Sequence, residues 1–297
     1  MMTSKTTAVE NHLGQKFSAF YELTKPGVTL LVVLTSAAGF YLGSSTELNL
    51  LLFFHTLMGT IVLSGGAATL NEFMERELDG KMNRTRNRPL PSGRLTAREA
   101  AVFGGVLVMG GALYLALLTN VMAAVLGIAT VAIYLLAYTP LKTRTPICTT
   151  IGAIPGAMPP LIGWVVASGR LEFQAWILFG ILFAWQFPHF LSIAWIYKDD
   201  YRQAGFTMLP SSDVDGRGTG RKIMAFTVVL LILSVMPVTS GLSGMVYLSG
   251  ALLLGGAFLW YGVATMLRRS AASARNVLLA SVVYLPLLLI LMVIDKR

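Results

Sequence analysis

The residues best suited to chemistry in this chain begin at Asn71, directly after an apolar run over residues 50–70. Nothing between Asn71 and Asp79 breaks a helix, so the run is predicted to continue as a helix through this stretch. At about 100° per residue, Asn71, Glu75 and Asp79 then share one helix face. Two carboxylates one turn apart suit a hard cation such as Mg²⁺, which takes its other ligands from water and a substrate phosphate.

The surroundings of this acidic face agree with a binding site. Glu72 lies at its edge, whereas Glu77 falls among the apolar residues of the opposite side and is left out of the inner set. Ser64 and Ala68 lie on the same face, closer to the middle of the apolar run. Because both side chains are small, they leave room for a substrate below the acids.

Basic residues follow the acidic face and suit the charge and geometry of a diphosphate. Lys142, on a short connection between two later apolar spans, is also expected to reach a phosphate. The alternative is a solvated loop, in which arginines and lysines only set the topology of the chain in the membrane. Spacing alone leaves both interpretations open. The arginines of the run are Arg84, Arg86, Arg88 and Arg94.

A second loop, after the sixth apolar span, again mixes carboxylates and cations. If it faces the first, two metal ions can hold one diphosphate between them and lower the charge of the leaving group. A solvated loop explains it equally well when it is taken alone. Two such loops on one side of the membrane, neither needed for insertion, favour a shared site. The residues are Lys198, Asp199, Asp200 and Arg202.

Composition determines the class of protein that positions these residues. Hydrophobic residues make up 55% of the 297 residues and charged residues only 12%, about half the usual charged fraction. The mean hydropathy is +0.68. Several apolar runs are long enough to cross a bilayer, so we predict an all-α integral membrane protein. Nine spans are predicted within one polytopic domain, at residues 28–43, 50–70, 100–118, 121–138, 147–167, 173–196, 223–239, 244–266 and 276–294.

The distribution of positive charge predicts the topology. All but three of the 23 lysines and arginines fall on one side of the predicted spans, the exceptions being Arg170, Lys296 and Arg297. By the positive-inside rule, the N-terminus is cytoplasmic and the C-terminus lies outside. Topology therefore explains most of the net charge of +9, and a nucleic-acid partner loses its support. The tail, residues 1–27, and two long loops, residues 71–99 and 197–222, are predicted on the cytoplasmic side.

Within the spans few residues suit chemistry. Three prolines, at positions 155, 159 and 160, should kink the fifth span, as in helices that line a cavity or pack closely on small residues. His189 is a functional candidate because an imidazole at membrane depth is costly, and it lies about one turn from Trp185 on the same face. His55 has no polar partner evident in the sequence, so it is expected to pack against other side chains or to lie at the membrane interface.

The pattern Asn71-x-x-x-Glu75-x-x-x-Asp79 resembles the acidic motif of the UbiA superfamily of intramembrane prenyltransferases. Five segments resemble its haem O synthase branch more closely. They run from the first span to the loop after the sixth, and together they are specific. These segments are residues 23–28, 84–94, 138–164, 185–190 and 198–210.

This resemblance implies nine transmembrane helices around a central cavity open to the cytoplasmic side. It implies transfer of farnesyl from farnesyl diphosphate to a vinyl group of haem B, with water addition, to give haem O and diphosphate. Mg²⁺ would be the cofactor. The expected place is a bacterial inner membrane, with the C-terminus in the periplasm. Haem A synthase and the assembly of a terminal oxidase are the expected partner systems.

The resemblance also implies roles for individual residues. Two positions depart from the superfamily pattern: Glu75 stands where the usual residue is Asp, and Ala204 stands where the second motif has another acid. The reduced second motif favours the haem O synthase branch and makes Asp200 its main metal ligand. The implied catalytic residues are Asn71, Glu75, Asp79 and Asp200; the metal ligands Glu75, Asp79, Asp199 and Asp200; the diphosphate-binding residues Arg84, Arg88, Lys142 and Lys198; and the haem-binding residues Trp185 and His189.

Two rival functions remain open at this point. One is a prenyltransferase that acts on a quinone or chlorophyll precursor, against which the Trp185–His189 segment and the reduced second motif argue. The other is a membrane carrier, with the kinked fifth span along its path. Transporters place charged groups near the middle of the bilayer, whereas here nearly all of them lie in loops.

Overall fold

The structure is a computed structural model that describes residues 14–45, 47–213 and 215–297. The first part of the predicted cytoplasmic tail, residues 1–13, lies outside this range. A π-helical segment, Ile133–Tyr138, separates α5 from α6. The helices are α1 (residues 14–23), α2 (Pro26–Gly43), α3 (Leu50–Asp79), α4 (Ala97–Leu118), α5 (Val121–Ala132), α6 (Thr139–Leu141), α7 (Cys148–Ala157), α8 (Pro159–Ser168), α9 (Phe173–Ile196), α10 (Lys198–Gln203), α11 (Leu209–Ser212), α12 (Arg217–Leu233), α13 (Met236–Thr239), α14 (Met245–Arg268) and α15 (Ala271–Ile294).

In the described ranges, nine helical stretches are long and apolar enough to cross a membrane, which confirms the predicted number. They correspond to α2, α3, α4, α5 through α6, α7 with α8, α9, α12 with α13, α14, and α15. The part of the chain described contains no β-strand, only an isolated bridge between Ser243 and Lys296. The protein is thus an all-α multi-pass membrane protein.

Helix α3 is longer than a membrane crossing requires. It has 30 residues, whereas about 20 suffice to cross the hydrocarbon core. The Asn49 side chain caps its N-terminus by accepting a hydrogen bond from the backbone N–H of Leu52. At the other end the helix runs through Asp79, as predicted, before the chain turns at Gly80. Its last turns therefore carry the acidic residues beyond the apolar stretch.

The membrane-spanning helices pack in two groups. In the first group, α2, α3, α4 and α5 follow one another, and α8 packs against both α5 and α2 to complete a ring. In the second group, α9, α12, α14 and α15 pack in that order, and α15 returns to α9. The acidic end of α3 belongs to the first group and His189 on α9 to the second.

The break in the fifth span joins these groups. The predicted kink is confirmed, because α7 ends at Ala157 and α8 begins at Pro159. The α8 half packs on α2, while the α7 half packs on α9 and the π segment. Gln186 of α9 donates a 2.9 Å hydrogen bond to the carbonyl oxygen of Ala153. A buried amide thus holds the broken span to the second group.

Helices α2 and α8 approach each other closely enough to require glycine. A Cβ atom added to Gly163 would lie 1.9 Å from the Ser36 carbonyl oxygen, and one added to Gly39 would lie 2.1 Å from that of Pro160. Small residues let helix backbones pack at such short distances inside a membrane. This contact closes the first group against its own first helix.

The C-terminus lies at the same end of the molecule as the end of α2. The Lys296 ammonium group donates to the carbonyl oxygens of Tyr41 and Ser44. The backbone N–H of Gly244 donates to the Asp295 carbonyl oxygen. The connection after α2, the turn before α14 and the C-terminus therefore share one end, as the alternating charge pattern predicts.

Candidate active site

The acidic face of α3 is buried. Asn71, Glu72, Glu75 and Asp79 are each no more than 5% exposed. Glu77, which the helix angles exclude from this face, has a side chain that is 82% exposed. The predicted division of the helix is therefore confirmed, and Glu72 belongs to the buried set.

Each residue of the Asn71-x-x-x-Glu75-x-x-x-Asp79 motif contacts a cation. The Lys142 ammonium nitrogen lies 2.7 and 2.9 Å from the two Glu75 carboxylate oxygens. Arg88 donates a 2.8 Å hydrogen bond to Asp79. The Lys25 ammonium donates a 2.9 Å hydrogen bond to the side-chain oxygen of Asn71. We call Lys25, Asn71, Glu72, Glu75, Asp79, Arg88 and Lys142 together the ion-pair cluster.

Lys25 was missed by reasoning from residue spacing. It precedes α2, and its backbone has a φ of 48°, in the left-handed region, although a residue before proline normally takes an extended conformation. Such strained backbones are concentrated at functional sites. Burial, and then the positive charge of Arg88, lower the pKa of Lys25 to about 8. The available sequence signal was the segment of residues 23–28, one of those that resemble the haem O synthase branch.

Lys142 directly follows α6, which continues the π-helical segment Ile133–Tyr138. In that segment Tyr134 and Tyr138 stack with ring centroids 5.5 Å apart, and the Lys142 nitrogen lies 4.6 Å from the Tyr138 centroid. Burial alone would lower the pKa of Lys142, but the Glu75 carboxylate outweighs it and holds this pKa well above its ordinary value. Lys142 is therefore expected to be protonated at neutral pH. π-Helical turns occur frequently at functional sites.

Hydrogen bonds fix the remaining members of the cluster. The Asn71 side-chain amide donates to the Thr139 hydroxyl at 3.0 Å, and that hydroxyl donates to the Tyr134 carbonyl. One Glu72 oxygen lies 3.6 Å from the Arg88 Nε and 3.7 Å from the Lys25 Nζ. The other, Oε2, is buried and has no hydrogen-bond partner in the described part of the chain.

Of the predicted diphosphate-binding arginines, Arg88 alone joins the ion-pair cluster among the described residues. Arg84 packs its guanidinium over the rings of Tyr197 and Tyr201. Arg94 pairs at 2.7 Å with Glu22 on α1. A role for Arg84 at a phosphate stays a prediction.

The second acidic loop lies against the first basic loop. Asp200 accepts hydrogen bonds of 3.3 Å from the Asn83 side chain and the Arg84 backbone N–H. Asp199 is exposed and lies 3.6 Å from Arg202. Lys198 lines a small surface cavity near Asp213 and Thr219. None of these three side chains contacts the ion-pair cluster in the part of the molecule described.

The two loops nevertheless reach the same end of the site. Met82 of the first loop packs with Ala204 and Phe206 of the second. The backbone N–H of Thr207 donates a 2.8 Å hydrogen bond to the Lys142 carbonyl oxygen. The second loop is therefore hydrogen-bonded to Lys142, which pairs with Glu75. Asp200 itself contacts Asn83 and Arg84 of the first basic loop and no member of the ion-pair cluster among the described residues.

The cluster fits Mg²⁺ in its donor chemistry. Within the described ranges, no three His, Cys, Asp or Glu side chains are grouped so as to hold a metal ion. Mg²⁺, however, is commonly bound by one or two carboxylates together with substrate phosphates. The buried Glu72 Oε2, which has no hydrogen-bond partner there, carries a desolvation cost that a ligand would relieve. Glu75 and Asp79 would supply one or two carboxylate oxygens to such an ion, with the buried Glu72 carboxylate beside them.

The predicted haem-binding pair lies in the second helix group. The rings of Trp185 and His189 stack with centroids 4.7 Å apart, as their spacing of one turn predicts. His189 Nδ1 lies 2.8 Å from the Ser281 hydroxyl of α15. The His55 ring packs against Phe54 and Tyr114. Its Nδ1 lies 2.7 Å from the Tyr114 hydroxyl, a polar partner on the next helix that the sequence did not reveal.

The fold and the cluster define a multi-pass membrane protein with an ion-paired acidic site, and comparison with known proteins agrees. Residues 32–285 match the model of the UbiA prenyltransferase family. The chain belongs to that family and is a prenyltransferase.

The more specific similarity is to curated relatives of one kind. A protein of Solibacter usitatus (strain Ellin6076), named protoheme IX farnesyltransferase, is 48% identical, with 93% of this chain and 98% of the relative covered. A protein of the same name from Koribacter versatilis (strain Ellin345) is 45% identical, with 93% of each chain covered.

Solved structures share the fold at low sequence identity. A structure of digeranylgeranylglyceryl phosphate synthase has a TM-score of 0.79 at 18% identity and covers 94% of this chain and 98% of its own. A UbiA homolog from Archaeoglobus fulgidus, bound to DMAPP and Mg²⁺, has a TM-score of 0.67 at 14% identity and covers 92% and 97%.

Proposed function

We propose that this protein transfers the farnesyl group of farnesyl diphosphate to a vinyl group of protohaem IX, with addition of water, and releases haem O and diphosphate. The similarity to the farnesyltransferases of Solibacter usitatus and Koribacter versatilis carries this proposal. The ion-pair cluster supports it, because a metal-bound diphosphate requires carboxylate oxygens as metal ligands and cations beside its phosphate oxygens, and the cluster contains both.

The cluster is electrically balanced without a ligand. Three carboxylates, of Glu72, Glu75 and Asp79, stand against the cations Lys25, Arg88 and Lys142. Removing one partner from a buried pair leaves an uncompensated charge and costs about 3–5 kcal/mol. A metal-bound diphosphate supplies both missing partners at once, because it brings negative oxygens for the cations and positive charge for the carboxylates. Binding is therefore an exchange of partners.

In this exchange Lys142, Arg88 and Lys25 turn to the phosphate oxygens. Glu75 and Asp79 would hold Mg²⁺, with Asn71 as a hydrogen-bond partner or ligand and Glu72 as a further oxygen donor. When bound, Mg²⁺ would neutralise charge on the diphosphate and so help it to leave. Asp200 would be a further ligand from the second loop if it gave up its contacts with Asn83 and the Arg84 backbone. Asp199 would be an outer metal ligand, and Lys198 and Arg84 would contact the diphosphate.

The reaction breaks the bond between the first farnesyl carbon and the diphosphate oxygen, and the electron pair leaves with the diphosphate. The vinyl π electrons of the porphyrin attack the allylic cation. Water then adds to the new cation beside the ring and loses a proton. Fixed charges act strongly at a site from which water is largely excluded. The stacked rings of Tyr134 and Tyr138 beside Lys142, and Trp185 on the haem side, offer π faces to a developing cation.

We further propose that the single domain, residues 1–297, lies in a bacterial inner membrane with its N-terminus in the cytoplasm and its C-terminus in the periplasm. The distribution of lysine and arginine supports this orientation. Haem A synthase or the assembly of a terminal oxidase is the proposed consumer of the product.

The test is incubation of the purified protein with haem B, farnesyl diphosphate and Mg²⁺, followed by mass analysis of the pigment. The expected product is heavier than haem B by one farnesyl group and one hydroxyl group, and EDTA should abolish it. The matched control acceptor is mesohaem, in which ethyl groups replace the vinyl groups and no product should form. Farnesylation of a quinone precursor instead of haem would overturn the proposed acceptor. Transport of farnesyl diphosphate without release of diphosphate would overturn the proposed reaction.

A further inference from the structure

His189, in the second helix group, is held by neutral contacts with Ser281 and Trp185. His189 Nδ1 lies 2.8 Å from the hydroxyl oxygen of Ser281. The same hydroxyl lies 2.6 Å from the Leu278 carbonyl oxygen, one turn earlier on α15. Ser281 is fully buried, so no solvent competes for these bonds.

These two distances determine which nitrogen carries the proton. A carbonyl oxygen only accepts hydrogen bonds, and two oxygens 2.6 Å apart need a proton between them. The single hydroxyl proton of Ser281 is therefore donated to Leu278. The serine oxygen can then only accept from His189, so the imidazole carries its proton on Nδ1. In the neutral ring, Nε2 keeps a free lone pair.

Trp185 fixes the orientation of both residues. Its indole N–H donates a 2.8 Å hydrogen bond to the Ser281 backbone carbonyl oxygen. Its ring stacks on the imidazole at an angle of 21° between the planes. The imidazole is thus held at one edge by Ser281 and on one face by Trp185. Nε2, at the opposite edge from Nδ1, has no hydrogen-bond partner among the residues the structure describes.

We propose that Ser281 is a positioning residue, which fixes His189 as the Nδ1-protonated tautomer so that Nε2 is held ready to ligate the iron of the porphyrin substrate. This rests on the proposed function, since it takes haem as the acceptor. Neutral imidazole nitrogen is a common ligand of iron, and a hydrogen bond at the other ring nitrogen orients the ligand and raises its basicity. Outer contacts of this kind typically change metal affinity by about 10–100-fold.

The experiment is a titration of the full-length protein in detergent with ferric haem B, followed by absorbance and electron paramagnetic resonance. The wild type should give the spectrum of a histidine-ligated haem, and His189→Ala should lose it. Ser281→Ala should keep haem binding but weaken it by about 10–100-fold, with a changed ligand-field spectrum. Ser281→Thr, which keeps the hydroxyl, should restore the wild-type spectrum.

The matched control is Ser234→Ala. Ser234 is also a buried serine of the second group, and its hydroxyl lies 2.8 Å from the Tyr284 hydroxyl, without a histidine. It should lose as much thermal stability as Ser281→Ala while haem affinity and spectrum stay unchanged. If Ser281→Thr does not fold, added imidazole should restore the histidine-type spectrum to His189→Ala and so report Nε2 ligation independently.

The outcomes separate this inference from the proposed function. If the wild type makes the farnesylated pigment but His189→Ala and Ser281→Ala leave the haem spectrum unchanged, the ligand role is wrong and the proposed function stands. An equal change in Ser281→Ala and Ser234→Ala would also overturn the positioning role. If the wild type neither binds haem B nor farnesylates it, the proposed function fails, and this inference fails with it.

Discussion

The two helix groups hold their buried polar residues in different ways. In the first group, the polar end of α3 is held by ions, as in the contacts of Lys142 with Glu75 and of Arg88 with Asp79. In the second group, two polar contacts between the described spans are neutral, those of His189 with Ser281 and of Ser234 with Tyr284. The contacts at the end of α3 are thus made by charged groups, whereas these two contacts of the second group are made by neutral ones.

This difference bears on what each group does. Charged partners can be exchanged for other charges at small net cost, so the ion-pair cluster is suited to bind and release an ionic ligand such as a metal-bound diphosphate. Neutral hydrogen bonds at membrane depth are not readily replaced by an ionic ligand. They hold a side chain in one orientation instead. We therefore propose that the first group carries out the chemistry of the leaving group and that the second positions the acceptor.

The largest expected effect tests the charge at Asp79. Asp79→Asn keeps the shape of the side chain but removes its charge from Arg88 and from the proposed metal. We expect turnover to fall by about 10²–10³-fold, the usual cost of one electrostatic contact at a reacting centre. Steady-state release of diphosphate measures it. Glu77→Gln, an exposed acid of the same helix, is the control and should stay within about twofold of wild type. Equal losses in both variants would remove the distinction between the two acids.

A double substitution separates structure from chemistry at Lys142 and Glu75. Lys142→Met alone leaves the Glu75 carboxylate buried and unpaired and should cost about 3–5 kcal/mol of stability. Adding Glu75→Gln removes the unpaired charge, so thermal unfolding in detergent should recover most of the loss. Turnover should stay low in the double variant because a cation and a metal ligand are both missing. Recovery of activity along with stability would mean that the pair is only structural.

The arginines of the basic loop provide the next comparison. Arg88 contacts Asp79 and Glu72 inside the cluster, whereas Arg94 pairs with Glu22 near the surface. Arg88→Gln should raise the KM for farnesyl diphosphate by about 10–100-fold, the value of a charge-assisted hydrogen bond. Arg94→Gln should change it by less than about threefold, since exposed pairs contribute little. Equal effects would point to a general electrostatic attraction by the loop.

The smallest expected effect concerns the packing that closes the first group. Gly163→Ala forces a methyl group against the Ser36 carbonyl oxygen and should cost about 1–3 kcal/mol by overpacking. Gly105→Ala on α4 is the control, because a Cβ there meets nothing within 4 Å. Thermal unfolding should show a lowered midpoint for Gly163→Ala alone, with haem binding by the second group intact. Loss of haem binding in this variant would show that the groups are not independent.

The features that could be predicted from the sequence are those that depend on regular spacing along one helix. Nine spans follow from apolar length, and the buried face of α3 follows from the angle between successive residues, which also excludes Glu77. The break at Met158 follows from the prolines around it. These features depend on neighbours in the sequence, so they need no knowledge of the packing.

The partners across helices did not follow from the sequence. Lys25 reaches Asn71 only because its backbone takes a left-handed conformation before Pro26. Which arginine enters the cluster depends on the path of an irregular loop, and this path takes Arg94 to Glu22 instead. The partners of His55 and His189 lie on other helices. Such contacts are set by tertiary packing, which spacing along one helix does not encode.

The central claim, that the cluster exchanges its partners on binding, is tested most directly by an experimental structure with Mg²⁺ and a non-hydrolysable farnesyl diphosphate analogue. We predict carboxylate oxygens of Glu75 and Asp79 about 2.1 Å from Mg²⁺, with Lys142 and Arg88 moved onto phosphate oxygens. Intact pairs of Lys142 with Glu75 and Arg88 with Asp79, with the diphosphate bound elsewhere, would contradict the account.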